Sequence, residues 1–493
     1  MYDNAYLLLQ TIFIPIFFSI IILLLGKKLR EKNGFLTFIP LLYITIILLY
    51  INVHLSSWNK LIAEYYWIPS LGNFILLADG LSAPIALVIA FLGTIISLYS
   101  IYYMKNAERL ELYFFLYLLY VSGMIGTVLS INLAAFFIFF EFMLIPSWIL
   151  VGVWGTGKKE IIAFKYFLYT EIGALSLLMG IGLIYSQIGS LNIFEIARLS
   201  SGMDISMILL ILILILIGFF IKMAIVPLHS WLPDAHAEAP TPISALLSPA
   251  MIGIGGYASI RIIYSAFPQV LHIYEFTISL SILALITMIY GGLMAIAQND
   301  IKRFLAYSSI SQMGYMLFGI SSLSNTGIVG SLLLYISHGL AKAVLFMITG
   351  IIMHEIHTRK ISDLSGLASI FPLTTITALI SFLSLAGVPP MIGFWGEIFI
   401  FAGSIYSAFS SSIDIIRIII TSIGIVSSVL TAGYGLWMVK RAFYGEPNKL
   451  VEKAKEPVFQ AILLLVLTLF VVLIGLYPTP IIVNFFKSMQ ILP

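Results

Sequence analysis

The 493-residue sequence contains no cysteine and very little charge. The lack of cysteine excludes disulfide bonds, thiolate metal sites and cysteine-ligated iron–sulfur clusters on this chain. Only 10% of the residues are charged and 61% are hydrophobic, whereas about a quarter are charged in soluble globular proteins. The mean hydropathy is +1.08. This composition predicts a protein of the lipid bilayer, and the net charge of +3 gives no indication of nucleic-acid binding.

Long apolar stretches occupy most of the chain. A membrane-spanning helix needs about 20 apolar residues, and roughly fourteen such stretches are present by that criterion. Short loops join them, so we predict an all-α polytopic membrane protein with a single membrane domain over residues 1–493. The stretches lie near 8–26, 36–53, 81–104, 113–130, 132–154, 161–187, 206–226, 241–266, 274–297, 302–321, 325–353, 368–405, 418–440 and 459–477.

The basic residues indicate how the chain is threaded. Counted over alternate loops, seventeen Lys and Arg residues fall on one side of the predicted membrane and four on the other. Because basic loops remain in the cytoplasm, the richer side, called the basic side below, is predicted to be cytoplasmic. The protein is then a multi-pass protein of the cell membrane with both termini on the outer side. The four basic residues of the outer side are Lys60, Arg198, Arg417 and Lys487.

Glu141 and Lys222 are two of the charged residues that lie within predicted spans. Glu141 is in the interior of IFFEFMLIPSW, too far from either end for its short side chain to reach the membrane surface. Lys222 follows a long apolar run and precedes Pro227 by five residues. Buried charges commonly mark ion pathways, and the proton affinity of a buried lysine depends on nearby carboxylates. We predict a Glu141–Lys222 proton site; the alternatives are a structural carboxyl and a lysine that reaches a polar loop.

Two proline breaks interrupt predicted helices at matching places. Pro227 breaks the seventh span, and Pro389 and Pro390 in LSLAGVPPMIGFWGE break the twelfth, with Glu397 shortly after. Matching broken helices are typical of transporters built from inverted repeats, whose ion sites lie at the breaks. We therefore predict a five-helix repeat over residues 113–266 and a second, inverted one over 274–440. The alternative is two unrelated proline kinks.

A histidine and a lysine share one face of a later helix. His338 and Lys342 in LYISHGLAKAVLF are four residues apart, which places both side chains on the same side of a helix. Histidine changes its charge near neutral pH and suits proton relay. The alternative is a histidine that is simply hydrogen-bonded in the core. Glu171 in YTEIGAL is also near mid-span, without an assigned partner.

At these residues the chain resembles the antiporter-like membrane subunits that respiratory complex I, Mrp-type sodium/proton antiporters and membrane-bound hydrogenases share. The resemblance runs through nearly the whole length. Within the family, HEIHTRK and the acid in GFWGEI are similar to the middle antiporter-like subunit of complex I. The motifs that carry the resemblance are FFEFMLIPSWILVGVWG, KMAIVPLHSWLPDAHAEAPTPISALL and QNDIKRFLAYSSISQMGYM.

The resemblance implies a proton-translocating subunit of a redox-driven NADH:quinone oxidoreductase. It implies that Glu141, Lys222 and Glu397 are proton-channel residues, with Lys302, His338 and Lys342 as further members of a hydrophilic axis. It also implies that flavin, iron–sulfur clusters and quinone bind partner subunits and that none binds this chain. The expected partners are other antiporter-like membrane subunits and a peripheral redox arm. The alternative is a subunit of an Mrp-type cation/proton antiporter or of a membrane-bound hydrogenase.

The sequence departs from the family pattern in the eighth span. The family generally has a lysine or histidine within the stretch that reads LLSPAMIGIGGYASIR here, where Ser248 and Gly253 stand instead. Both residues are small and leave room for ordered water. We therefore hypothesise that water beside them bridges Lys222 to His338 and Lys342.

Overall fold

The computed structural model describes residues 4–410 and 413–489 and is almost entirely helical, which confirms the predicted fold class. Short 3₁₀ and π segments lie between several helices. The helices are α1 (Tyr6–Leu29), α2 (Asn33–Trp58), α3 (Ser82–Tyr103), α4 (Leu110–Leu129), α5 (Leu133–Trp154), α6 (Lys159–Ile188), α7 (Ile193–Leu199), α8 (Ile205–Met223), α9 (Trp231–Glu238), α10 (Thr241–Leu246), α11 (Ile252–Ile260), α12 (Tyr274–Ile296), α13 (Ile301–Ile320), α14 (Asn325–Ile356), α15 (Leu367–Ile370), α16 (Pro372–Leu385), α17 (Ile392–Phe409), α18 (Ile415–Phe443), α19 (Val458–Leu476) and α20 (Thr479–Met489).

Twelve stretches of the described residues are long and apolar enough to cross a membrane. The first of them, Tyr6–Leu55, contains two helices, α1 and most of α2. Helix α13 is not among the twelve, and α16 is shorter than a span. The count of fourteen therefore stays a prediction.

Polar side chains fix where several helices begin. The Asn132 side chain accepts hydrogen bonds from the backbone N–H groups of Ala134 (2.9 Å) and Ala135 (3.3 Å) at the start of α5. Asp300 does the same for Lys302 (2.9 Å) and Arg303 (3.2 Å) at the start of α13. These caps satisfy N–H groups that have no partner within the helix, which matters most where water is scarce.

The chain forms two compact units, and the first contains both ends of the described chain. It comprises residues 1–223, 250–277 and 480–493, of which 4–223, 250–277 and 480–489 are described. Its membrane helices are α1–α6, α8 and α11. The last helix, α20, is fastened to the start of α3: the Gly80 N–H donates to Ser488 Oγ over 2.7 Å. A Cβ atom at Gly80 would lie 2.1 Å from the Asn484 carbonyl oxygen, so the close approach requires glycine.

A β-hairpin that the sequence did not predict lies in the first unit. Strand β1 (Lys60–Ile68) pairs antiparallel with β2 (Gly72–Asp79). Lys60 pairs with Asp79 at the open end and Ile68 with Gly72 at the turn, with an irregularity between Tyr65 and Ile68. Strand β2 is the more buried of the two.

The second unit consists of residues 224–249 and 278–479, of which all but 411 and 412 are described. It contains α9, α10, most of α12, and α13–α19. Helix α14 lies at its centre and packs against α10, α13, α16, α17 and α19. Nearly every residue of α14 from Gly327 to Ile352 is buried. This central position explains why His338 and Lys342 are buried, since both lie in that range.

Both predicted breaks are present. Helix α8 ends at Met223, and turns with Ala224 at a positive φ of 55° lead to α9. Helix α16 ends at Leu385, and Gly387 at φ 66° lies in the connection to α17. The Val226–Pro227 and Pro389–Pro390 peptide bonds are both cis. Proline explains the interruptions because it lacks the N–H group that a continuous helix needs.

Each of the two predicted five-helix repeats contains five membrane helices or broken helices. Residues 113–266 contain most of α4, then α5, α6, α8 and the segment from α10 to the π turn Arg261–Ala266, with the small helices α7 and α9 between them. Residues 274–440 contain α12, α13, α14, the broken pair α16 and α17, and most of α18, with α15 before α16. The inverted relation between the two repeats stays a prediction.

Candidate functional site

Lys222 is buried in the first unit. It lies in the last turn of α8, is 1% exposed, and its Nζ atom forms no hydrogen bond with any described residue. Its amine lies 4.7 Å from the centroid of the Phe140 ring, which provides a cation–π contact. An amine held in this way can bind and release a proton without breaking a structural hydrogen bond.

Two carboxyl groups lie within electrostatic range of Lys222. Glu141 of α5 interacts with Lys222 and also with Glu171 of α6. Glu171 also interacts electrostatically with Lys222. Glu141 and Lys222 are therefore the neighbours of Glu171 that the sequence did not indicate. One oxygen of Glu141, Oε1, is buried without a hydrogen-bond partner in the described structure. Glu141 and Glu171 are therefore both within electrostatic range of Lys222, and the proton site stays a prediction.

A separate ion pair lies at the hairpin end of the first unit. Arg261 Nη2 is 2.5 Å from Asp79 Oδ1, and the two side chains are 5% and 11% exposed. Arg261 Nε also donates to the Tyr257 hydroxyl over 2.9 Å. Burial raises the pKa of the Asp79 carboxyl, but the charge and hydrogen bonds of Arg261 and Ser82 bring that pKa below its ordinary value. Asp79 is therefore a fixed carboxylate that fastens β2 to the segment after α11.

In the second unit, basic residues hold the short helix α9 that follows the first break. Lys302 Nζ donates to the Ala239 carbonyl over 2.5 Å. Arg359 donates to the Ala237 carbonyl over 2.7 Å and pairs with Asp300 over 2.7 Å. Arg303 pairs with Asp234 over 2.9 Å. These contacts satisfy carbonyl groups at the end of a helix and fix its position.

The buried histidine of α9, His236, is a candidate site residue that the sequence did not predict. It is 0% exposed, and neither ring nitrogen has a hydrogen-bond partner among the described residues. Its ring stacks on Phe346 with centroids 4.8 Å apart and planes inclined by 24°. Lys302 and Lys342 both lie within electrostatic range of His236. The neighbours of His236 come from α13 and α14, so no pattern within its own segment indicated it.

His338 and Lys342 lie together on α14 as predicted. Lys342 is fully buried and its Nζ atom donates to the Leu305 carbonyl over 2.9 Å and to Ser308 Oγ. His338 Nε2 is buried without a hydrogen-bond partner within the described chain, and its ring is in electrostatic range of Lys342 and His236. Four titratable groups of the second unit thus form one cluster, the relay cluster: Lys302, His236, Lys342 and His338.

Glu397 lies at the second break. It belongs to the second turn of α17, is 8% exposed, and its Oε1 atom has no hydrogen-bond partner among the described residues. A Cβ atom at Gly387 would lie 2.5 Å from Glu397 Oε2, so the glycine lets the chain of the break pass close to the carboxyl. The structure places the acid at the broken helix, where the sequence predicted it.

The residues that replace the expected base of the eighth span do not lie in one unit. Ser248 belongs to the second unit, where its hydroxyl is 2.8 Å from that of Ser309. Gly253 is in α11 of the first unit. The hypothesis of a water bridge from Lys222 to His338 and Lys342 stays a prediction.

The chain is similar to known proteins along most of its length. Residues 130–431 match the family described as NADH:quinone oxidoreductase/Mrp antiporter, TM, and residues 67–114 match the N-terminus of NADH-ubiquinone oxidoreductase (complex I) chain 5. The NADH-quinone oxidoreductase subunit M of Rickettsia typhi is 33% identical over 97% of this chain and 97% of its own length. The NAD(P)H-quinone oxidoreductase chain 4 1 of Synechococcus elongatus is 36% identical over 85% of this chain and 78% of its own length.

Solved structures share the fold over the whole chain. A chain of the Mrp complex from Dietzia sp. has a TM-score of 0.89 at 22% identity, covering 100% of this chain and 98% of that one. A chain of the archaeal membrane-bound sulfane sulfur reductase has a TM-score of 0.87 at 26% identity, with 99% and 97% covered. A chain of respiratory complex I from Thermus thermophilus has a TM-score of 0.83 at 24% identity, with both chains covered completely.

Proposed function

This chain belongs to the NADH:quinone oxidoreductase/Mrp antiporter family of membrane subunits, and from that premise we propose that it translocates protons as the M-type subunit of an NADH:quinone oxidoreductase. The similarity to a subunit M over 97% of this chain and to a chain 4 over 85% of it supports this proposal over an antiporter. The observation that carries it is Lys222, a buried amine without a hydrogen-bond partner among the described residues that faces Glu141 and Glu171.

The first proton site is the amine of Lys222 and the carboxyl of Glu141. When Glu141 is close, its negative charge favours the protonated amine; when Glu141 moves away, the buried amine releases its proton more readily. One oxygen of Glu141 has no hydrogen-bond partner among the described residues, so a movement of that oxygen breaks no such bond. Protons reach the site from the basic side.

The relay cluster supplies the next steps. Histidine accepts a proton at one ring nitrogen and donates one from the other, which suits His236, whose two nitrogens are both free of hydrogen bonds to described residues. Lys302 and Lys342 lie within electrostatic range of His236, so a change of charge on one lysine alters the proton affinity of the ring. Release toward the outer side takes place near Glu397.

The energy comes from partner subunits. Moving one charge against a potential of 100 mV costs about 2.3 kcal/mol, and the cysteine-free chain has no ligands for a cysteine-bound iron–sulfur cluster. We propose that flavin, iron–sulfur clusters and quinone are bound by partner subunits in a peripheral redox arm. Other antiporter-like subunits are the neighbours in the membrane.

The test is Glu141→Gln in the purified complex reconstituted into vesicles. We expect the complex to assemble, most proton translocation to be lost, and donor oxidation to slow because the two processes are coupled. Glu160→Gln, at an exposed position of α6, is the matched control and is expected to pump normally. Normal pumping by Glu141→Gln would return Glu141 to a structural role.

The antiporter alternative predicts a different purified complex. Flavin and iron–sulfur absorbance in the native complex supports the redox-driven pump, because an antiporter driven by an ion gradient needs neither. A native complex that lacks both and exchanges cations for protons would favour the antiporter.

A further inference from the structure

One face of α16 contains two buried hydroxyl groups that have no hydrogen-bond partner in the described part of the chain. Thr374 Oγ1 and Ser381 Oγ are both buried and form no hydrogen bond with any described residue. Serine and threonine in a helix ordinarily donate to a carbonyl one turn earlier, as Thr375 and Thr377 of the same helix do. Thr374 and Ser381 are seven residues apart, so they lie on the same face of α16, about 10 Å apart along its axis.

Further polar groups follow at the Leu385 end of α16, and two of them have no hydrogen-bond partner among the described residues. Gln312 Nε2 donates to the Leu385 carbonyl over 3.2 Å, while Gln312 Oε1 has no partner among the described residues. The Tyr434 hydroxyl lies near the side chains of Thr431, Gln312 and Ser311, without a hydrogen bond of ordinary geometry to a described residue. The Ser384 hydroxyl is 3.0 Å from that of Ser337.

The inner groups lie close to Glu397. Tyr434 and Tyr315 are both within electrostatic range of the Glu397 carboxyl. Glu397 Oε1 is itself buried without a described hydrogen-bond partner. Thr374, Ser381, Gln312, Tyr434 and Glu397 therefore form a series of buried polar groups with unused hydrogen-bonding capacity.

The N-terminal end of α16, at Pro372, leads to the basic side of the membrane. Glu456 is half-buried there and accepts hydrogen bonds from the backbone N–H groups of Thr374 (2.7 Å) and Leu373 (3.4 Å). The adjacent Lys453 and Lys455 are exposed. The negative potential of a carboxylate at this end raises the local concentration of protons in the surrounding water.

We propose that this face of α16 is a water-filled proton path that connects the basic side at Glu456 with Glu397. Buried polar groups are almost always hydrogen-bonded, and internal water binds where several of them meet. The proposal rests on the proposed function and deepens it, because it gives Glu397 a proton supply of its own. A proton from water at Glu456 passes along the water chain, each water accepting one proton and donating another, and the Glu397 carboxylate accepts the last.

The experiment compares three variants of the complete complex in vesicles. Ser381→Leu fills the path and is expected to slow proton pumping at least about tenfold, the effect of a barrier about 1.4 kcal/mol higher. Ser381→Ala leaves the space open to water and is expected to stay within about threefold of wild type by the same relation. Glu397→Gln, which tests the proposed function itself, is expected to slow pumping as strongly as Ser381→Leu.

A labelling measurement checks the path without relying on activity. Because this chain has no cysteine, Ser381→Cys introduces its one thiol, and modification by methyl methanethiosulfonate is followed by the mass of this subunit. The control is Ser331→Cys, at an equally buried serine that donates to the Met316 and Gly327 carbonyls. A thiol in contact with water forms the reactive thiolate more readily, so Ser381→Cys is expected to react at least about tenfold faster.

The outcomes separate the two proposals. If Glu397→Gln slows pumping but Ser381→Leu pumps normally, the path is wrong and the proposed function stands. If both variants pump normally, Glu397 has no role in pumping, and the proposed path is wrong as well. If Ser381→Leu does not assemble, the labelling decides, and equal rates at Ser381→Cys and Ser331→Cys overturn the path.

Discussion

The Asp79–Arg261 ion pair makes the stability of the first unit sensitive to one carboxyl group. Asp79→Asn removes the negative charge and leaves the Arg261 guanidinium, which is only 5% exposed, without its counterion. Removing one partner of a buried ion pair costs about 3–5 kcal/mol. Because asparagine still accepts a hydrogen bond, we expect the free energy of unfolding to fall by about 3 kcal/mol, the lower end of that range.

The assay is reversible unfolding of the purified chain in detergent, for Asp79→Asn, Arg261→Met and the double variant. Arg261→Met leaves Asp79 with hydrogen bonds from the backbone N–H groups of Leu81 and Ser82, so a smaller loss of about 1–3 kcal/mol is expected. The loss in the double variant should be less than the sum of the single losses by about 1–3 kcal/mol. A loss below about 1 kcal/mol for Asp79→Asn, the value of an exposed pair, would refute this reasoning.

The difference in the free energy of unfolding between wild type and Asp79→Asn depends on pH because the pKa of Asp79 is lowered. Burial raises that pKa and Arg261 lowers it, with a net value below the ordinary one. A carboxyl with a lowered pKa stabilises the folded chain above its unfolded pKa of about 3.9, and this stabilisation disappears as the pH falls through the folded value. The difference between wild type and Asp79→Asn should therefore be constant from about pH 8 to about pH 5 and shrink below about pH 4. A difference that grows on acidification would contradict the assignment.

Two further predictions concern the relay cluster and the threading of the chain. His236→Phe preserves a ring against Phe346 but removes both nitrogens, so proton pumping should fall about a hundredfold or more. The control is His272→Phe, at an exposed histidine. If His236→Phe pumps at the rate of the control, His236 has no part in the relay. Single cysteines that replace Lys158 and Arg198, both exposed, should react with an impermeant reagent from opposite sides of the membrane. The cysteine at position 158 should react from the cytoplasm. Labelling of both from one side would contradict the prediction that α6 crosses the membrane.

The sequence predicted the features that depend on strong local signals. Apolar length indicated the membrane helices, and Pro227 with Pro389 and Pro390 indicated both breaks, because proline cannot continue a helix. The proximity of Glu141 and Lys222 followed from the cost of isolated charge in a bilayer. These inferences need only the chemistry of a residue and its immediate neighbours.

Other features depend on contacts between distant parts of the chain. The hairpin of β1 and β2 has no strict polar alternation, since β2 is buried along most of its length. Glu171 acquires its partners from α5 and α8, and His236 acquires its surroundings from α13 and α14. No local pattern in the sequence specifies which helices pack together, so these sites required the structure.

The hydrogen bond from Gly80 to Ser488 ties the folding of the first unit to the timing of synthesis. The two residues are 408 positions apart in the chain. At translation rates of about 5–20 residues per second, Ser488 follows Gly80 by about 20–80 s. During that interval the backbone around Gly80, where even a Cβ atom would collide with Asn484, has no helix α20 against which to pack. The corner between β2 and α3 is therefore an early-made surface that must stay unoccupied by lipid or by other proteins until the end of the chain arrives to cover it.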